Sequence, residues 1–196
     1  MGRKIQYFCI QSKEADLMGP LINLGKIDAT SIMDVLYVIF HRDFVAQRTH
    51  LAGTIWIDPR SSRQEDGKES AFWHLTSRQN TYQKKEGNRF ISVSERLPDF
   101  RRMERLEWVK LILDNHSDDR VRCFYHCENN PKNDIRLYLW AHQHDFVVIL
   151  QKLGRSSSFL VTSFYVDHQR KREEYQRRFD SYKGENLAQL KGCEWF

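Results

Sequence analysis

His74 is the residue best placed to do chemistry. It stands in the segment AFWHLTSR, among bulky apolar side chains, with Thr76, Ser77 and Arg78 directly after it. An imidazole beside hydroxyls and a guanidinium can transfer a proton while a phosphate is held. The alternative is a buried histidine satisfied by a backbone carbonyl. His-Leu-Thr also matches half of the two-histidine phosphoesterase pattern, but no second copy exists: His50 leads into Leu-Ala and His116 into Ser-Asp.

Other chemistries fit less well. Cys123, His126 and Cys127 suggest a metal cluster, yet the segment reads as a strand. At ~3.3 Å per residue its two cysteines stand ~13 Å apart, too far for one zinc ion. His142 and His144 bracket a hairpin turn and read as surface histidines. The chain has no Gly-x-Ser-x-Gly elbow and no glycine-rich phosphate loop, and Glu107-Trp108-Val109-Lys110 has the wrong spacing for the Glu-x-Lys of metal-dependent nucleases. We therefore expect no metal and no cofactor.

The elements that would position His74 follow from periodicity. SIMDVLYVIF has an apolar stripe of Ile32, Leu36, Ile39 and Phe40 behind a capping-box-like Ser31/Asp34. TIWIDPR reads as a short strand ending at Pro59, and residues 4–10 as a first strand. Ser61–Ser70 is polar, and so is Gln79–Asn88, where Gly87 is a turn candidate. Asp99 can cap a helix over FRRMERLEWVKLIL, with Met103, Leu106, Val109 and Leu113 on one face. Its basic residues, with Arg96, are interleaved with acids and read most simply as a solvated face.

From Val121 the period changes to two. VRCFYHCE, IRLYLWAH, FVVILQK and FLVTSFYV, joined by short polar connections, imply an antiparallel four-strand meander. FVVIL, continuously apolar, is the central strand. Gln169–Lys183 is a closing helix with Tyr175, Phe179 and Tyr182 inward. The fold class is thus α+β: helices packed on a four-stranded antiparallel β-meander, with a closing C-terminal helix. The second strand of that meander carries Arg136, Tyr138, Trp140 and His142 on one face, suited to stacking bases and binding phosphates. Ile135, Leu137, Leu139 and Ala141 take the other face, toward the helices.

Length and charge agree with one domain of 196 residues. A net charge of +5 is compatible with a phosphate-bearing partner without requiring one. No apolar run reaches the ~18–20 residues of a membrane span. Four cysteines in this length suggest no disulfide framework, so a cytoplasmic protein with reduced thiols and no membrane association is expected.

FWHLTSR, IRLYLWAHQHDFVVIL and FLVTSFYVDHQRKREEY, in that order, resemble the phage-associated members of the barnase–EndoU–colicin–RelE superfamily. The likeness spans roughly residues 70–183, leaving 1–69 as an N-terminal extension and 184–196 as a tail. The resemblance implies a metal-independent ribonuclease in which the ribose 2′-OH attacks the adjacent phosphate. It also suggests a toxin or mobile-element effector with RNA as substrate and a protein inhibitor or partner. It assigns His74 as general acid or base, Arg78 as phosphate clamp and Thr162 on the last strand. Relatives carry a tyrosine two residues after such a hydroxyl. Here Phe164 holds that place and Tyr165 is one residue late, on the opposite face of a regular strand unless a bulge intervenes. The departure keeps open a second reading, a catalytically inactive nucleic-acid- or protein-binding module on the same fold.

Overall fold

The computed structural model describes residues 16–184; the strand expected over 4–10 and the aromatic tail at Trp195-Phe196 lie outside them. Its architecture is mixed α+β, with a six-stranded sheet and a closing C-terminal helix. In chain order the elements are α1 (Ile32–Phe40), β1 (His50–Leu51), β2 (Ile55–Asp58), the small ribbon β3 (Gln64–Glu65) and β4 (Lys68–Glu69), and α2 (Ser70–Thr76). There follow β5 (Ser77–Glu86), β6 (Arg89–Pro98), α3 (Phe100–Met103), α4 (Leu106–Asp114), β7 (Val121–Cys127), β8 (Ile135–Ala141), β9 (Phe146–Lys152), β10 (Ser157–Tyr165) and α5 (Gln169–Gly184).

The main sheet runs β1-β2-β10-β9-β8-β7. The pairs β7/β8, β8/β9 and β9/β10 are antiparallel, as their short connections demand. The sheet is wider than the sequence suggests, because β2 adds to β10 in parallel and β1 then pairs with β2. The described residues from 16 to 69 therefore contribute to the same core: Leu36, Phe40, Leu51 and Ile57 pack with Phe72, Leu75, Leu137, Leu139 and Leu150. Asp99 caps α3, its carboxylate accepting from the Arg102 N–H at 3.3 Å. The single helix expected after it is split at Glu104-Arg105, yet Met103, Leu106, Val109 and Leu113 are all buried. No described helix is long and apolar enough to cross a membrane.

Two cores flank the sheet. Phe146, Val148 and Leu150 of β9 face the first with α1, α2 and α4, while Val147 and Ile149 face a second, smaller one under α5. Burial on both faces explains the continuous apolar run of β9. Ile149→Ala is expected to cost about 2–5 kcal/mol, the usual range for a cavity left by a buried aliphatic side chain. Urea denaturation checks this, and a loss under 1 kcal/mol would show that the second core contributes little.

The second core corrects one expectation. Tyr138 and Trp140 are only 4% exposed. Tyr138 stacks on Phe124 with ring centroids 5.0 Å apart, and Tyr175 of α5 lies against both Tyr138 and Trp140. Alternation alone cannot tell a solvated aromatic face from one covered by an amphipathic helix. Here Tyr175 and Phe179 supply the cover, so Tyr138 and Trp140 are core residues and offer no floor for stacked bases.

The polar stretch from Gln79 to Asn88, with its turn candidate Gly87, is largely a strand. It belongs to a two-stranded ribbon in which Ser77 pairs with Pro98 and Glu86 with Arg89. The connection is Gly87-Asn88, and Gly87 takes φ +62°, the positive value that a II′ hairpin turn requires at its first central residue. Ten residues per strand give an arm of roughly 33 Å. Little of the arm is buried, and Phe90 near its tip is 71% exposed. Lacking buried alternation, it escaped detection by hydrophobic pattern.

Candidate functional site

β2 accompanies β10 only from Ser157 to Phe159. Beyond that point no strand among the described residues pairs with this side of β10, and α2, the base of the β5/β6 ribbon and α3 surround it instead. A cleft of about 360 Å³ opens there, lined by Arg60, His74, Ser77, Arg78, Gln79, Arg96, Arg102, Val161 and Thr162. Among the described residues, four guanidinium groups thus surround one imidazole, and no carboxylate lines the cleft.

Each contributor is held by a local feature. His74 lies in the last turn of α2, whose Ala71, Phe72 and Leu75 are buried and fix the helix's rotation. Thr76 Oγ1 donates to the Phe72 carbonyl at 2.9 Å, and the Ser77 hydroxyl donates to the Trp73 carbonyl, closing the helix end. Trp73 Nε1 donates to the Glu65 carbonyl at 2.9 Å and ties α2 to the β3/β4 ribbon. Arg96 reaches the Ser77 hydroxyl at 3.3 Å and the Glu65 carboxylate at 3.5 Å. Among the described residues no hydrogen bond engages the His74 ring nitrogens, and neither Arg60 nor Arg78 has a salt bridge. An imidazole and two cations are left for a ligand.

Arg102 organises the cleft. Its Nη1 donates to the His74 carbonyl at 2.7 Å, the Ser77 carbonyl at 3.1 Å and Thr162 Oγ1 at 3.1 Å, while its Nε lies 3.3 Å from the Asp99 carboxylate. One side chain thereby joins α2, β5, α3 and β10.

Burial, and then the charges of Arg96, Arg60 and Arg102, hold the His74 pKa below the ordinary imidazole value of 6.5, with Glu65 opposing. His74 is therefore mostly neutral at pH 7 and suited to accepting a proton. Burial likewise leads the downward shifts of His126 and His142. In the unfolded chain these rings take up protons near pH 6.5, and in the fold only at lower pH. Stability is then fully present above about pH 6.5 and is lost as the pH falls through the folded values, because the unfolded state binds protons first. Between about pH 7.5 and pH 5.5, His74→Gln is expected to lose less stability than the parent; an equal or larger loss would contradict the half-buried, neutral ring.

The structure brings some sequence-predicted residues together and separates others. His74, Arg78 and Thr162 share the cleft. The Thr162 hydroxyl is occupied, however, donating to the His74 carbonyl at 3.1 Å while accepting from Arg102. It positions His74 and is not a free reactant. Tyr165 is elsewhere. The bulge in β10 falls between Leu160 and Thr162, upstream of both residues, so it does not bring Tyr165 round to the Thr162 side. Its ring lies between the guanidinium groups of Arg101 and Arg105, at 5.1 and 5.0 Å, and lines a neighbouring cavity with Asp99 and Asp167.

Of the proposed substrate face, Tyr138 and Trp140 are buried, and His142 Nδ1 is bonded to the Arg120 carbonyl at 3.1 Å. Arg136 lies 4.0 Å from Glu128, and its charge is felt at Arg60. Arg60, Arg96 and Arg102 were not legible as site residues. Arg60 follows an Asp-Pro turn, and the other two sit among alternating charges. Among the described residues no group of three His, Cys, Asp or Glu stands close enough to hold a metal ion. Cys123 Sγ donates to the His116 carbonyl at 3.1 Å, and burial pushes its thiol pKa up to about 12. No family model, curated protein or solved structure matches the chain, so its function has to be read from the site itself.

Proposed function

We propose that the chain is a metal-independent ribonuclease-type domain that cleaves RNA by attack of a 2′-OH on the adjacent phosphate. The observation that carries this reading is the cleft itself, in which four arginines surround a neutral imidazole and no carboxylate is among the described lining residues. Arg60 and Arg78, which carry no ion pair among the described residues, would clamp the phosphate's non-bridging oxygens, and Arg96 adds positive charge. The neutral His74 would take the 2′-OH proton. Charge developing on the pentacoordinate phosphorus is spread over oxygens facing guanidinium groups. The departing 5′-oxygen takes its proton from water at the open mouth of the cleft.

On this reading β7–β10 are the meander of the phage-associated barnase–EndoU–colicin–RelE type of domain, and α2 supplies the histidine to its last strand. RNA is the substrate, and a protein inhibitor would accompany a toxin of this kind. A second reading, a nucleic-acid-binding module without catalysis, is favoured by one observation: Tyr165 lines the neighbouring cavity and not this cleft, so among the described residues no second acid or base faces His74. Incubating the purified protein with total RNA in EDTA separates the two. The nuclease reading expects cleavage to 2′,3′-cyclic or 3′-phosphate ends, with DNA of the same sequence left intact. Tight RNA binding without cleavage selects the binding module, and neither cleavage nor binding defeats both.

A further inference from the structure

A second cavity, of about 310 Å³, lies on the other side of Arg60, lined by Arg63, Lys132, Asp134, Gln151, Leu153 and Phe159 among others. Arg60 lines both cavities, so the two are adjacent. We propose that this second cavity is a nucleobase subsite, which takes the nucleotide flanking the phosphate held at His74. The proposal rests on the nuclease reading and adds to it that the substrate is an extended single strand gripped over more than one nucleotide.

Three features carry it. Arg60 is held in a left-handed backbone conformation, φ +61°, rare for a residue with a side chain. The Asp58 carboxylate secures that turn by accepting from the Arg60 and Ser61 N–H groups at 2.7 and 3.2 Å. The strained turn sets the guanidinium over the Phe159 ring, 4.8 Å from its centroid. Guanidinium planes and aromatic rings are the surfaces on which unstacked bases are held. Arg60 Nε is buried with no hydrogen-bond acceptor among the described residues, and the Phe159 ring is what the guanidinium rests on.

The second feature is the floor. The Asp134 carboxylate is hydrogen-bonded by Gln151 and accepts from Asn130 Nδ2 at 3.1 Å. A carboxylate and an amide held side by side offer acceptors and a donor to the edge of a base. The third is charge at the rim: Arg63 and Lys132 are exposed and stand where the next phosphate of a strand would pass. Exposed Leu153 closes the cavity as an apolar wall.

The test uses the full chain and RNA oligonucleotides made uncleavable by 2′-O-methylation. A dinucleotide spans the His74 cleft alone, and trinucleotides extend it by one nucleotide on either side. Fluorescence anisotropy should show the parent binding one of the two trinucleotides roughly 5- to 100-fold more tightly than the dinucleotide, the scale of one stacked base. Phe159→Ala should abolish most of that increment. Lys132→Glu, a surface change that leaves the core untouched, should reduce it several-fold while dinucleotide binding is preserved. If the parent gains nothing from either extension, or if neither variant diminishes the gain, the subsite is wrong and the His74 cleft stands. If the parent binds neither length, the nuclease reading fails and the subsite with it.

Discussion

His74→Ala is expected to slow RNA cleavage by roughly 10²–10⁴-fold, the scale for losing one positioned acid or base. The substitution removes the imidazole but leaves the Arg102 and Thr162 hydrogen bonds to the backbone carbonyl of residue 74, so the cleft should keep its shape. RNA affinity should therefore change far less than rate. The paired control is Arg78→Lys, which keeps the charge but loses the planar fork, and should weaken both rate and phosphate binding. Measured single-turnover rates and affinities separate the two effects. A His74→Ala protein that folds normally and cleaves at the parent's rate would remove the histidine from the mechanism.

The second large effect is expected at Arg102. Arg102→Ala leaves the Ser77 carbonyl without this donor and the Asp99 carboxylate without its ion-pair partner, and strips from the His74 carbonyl a hydrogen bond it receives beside that of Thr162. Breaking a fully buried pair costs about 3–5 kcal/mol; with the Arg102 and Asp99 side chains 18% and 21% exposed, roughly 2–4 kcal/mol is expected. Because the same guanidinium holds α2 against β10, activity should fall by more than the unfolded fraction explains. Arg102→Lys would keep a positive charge but cannot reproduce donation to three oxygens while facing Asp99, so it should recover little. Denaturation and activity measured well below the melting temperature check both parts. A variant as stable as the parent would show that Arg102 does not organise the cleft.

The strands from Val121 to Tyr165 were legible because each has a buried side, and burial writes a period of two into the sequence. The α4 face was legible for the same reason at the helical period. What escaped notice carried no such imprint. The β5/β6 arm is exposed on both faces, and its composition is that of a loop. The parallel pairing of β2 with β10 is a contact across about a hundred residues, with nothing local to announce it. Tyr138 and Trp140 alternated correctly, but alternation cannot say that Tyr175 of α5 covers them.

The site divides similarly. His74 and Arg78 were legible because an imidazole and a guanidinium four residues apart are unusual in so apolar a segment. Arg60, Arg96 and Arg102 come from three separate elements, and only the fold brings them to one imidazole. Thr162 lines the cleft with its hydroxyl held on the His74 carbonyl: a strand hydroxyl looks alike in sequence whether it meets a substrate or, as here, a backbone carbonyl.

In the proposed reaction the attacking group is the substrate's own 2′-hydroxyl, activated at His74 without a metal. The most direct measurement takes an RNA oligonucleotide that the protein cuts at one position and compares it, in EDTA, with the same oligonucleotide bearing a single 2′-deoxy at the nucleotide on the 5′ side of that cut. A 2′,3′-cyclic phosphate end is expected on the all-ribose strand, with no cleavage at the substituted position. Cutting that ignores the missing hydroxyl, or that appears only when magnesium is restored, would contradict that reaction.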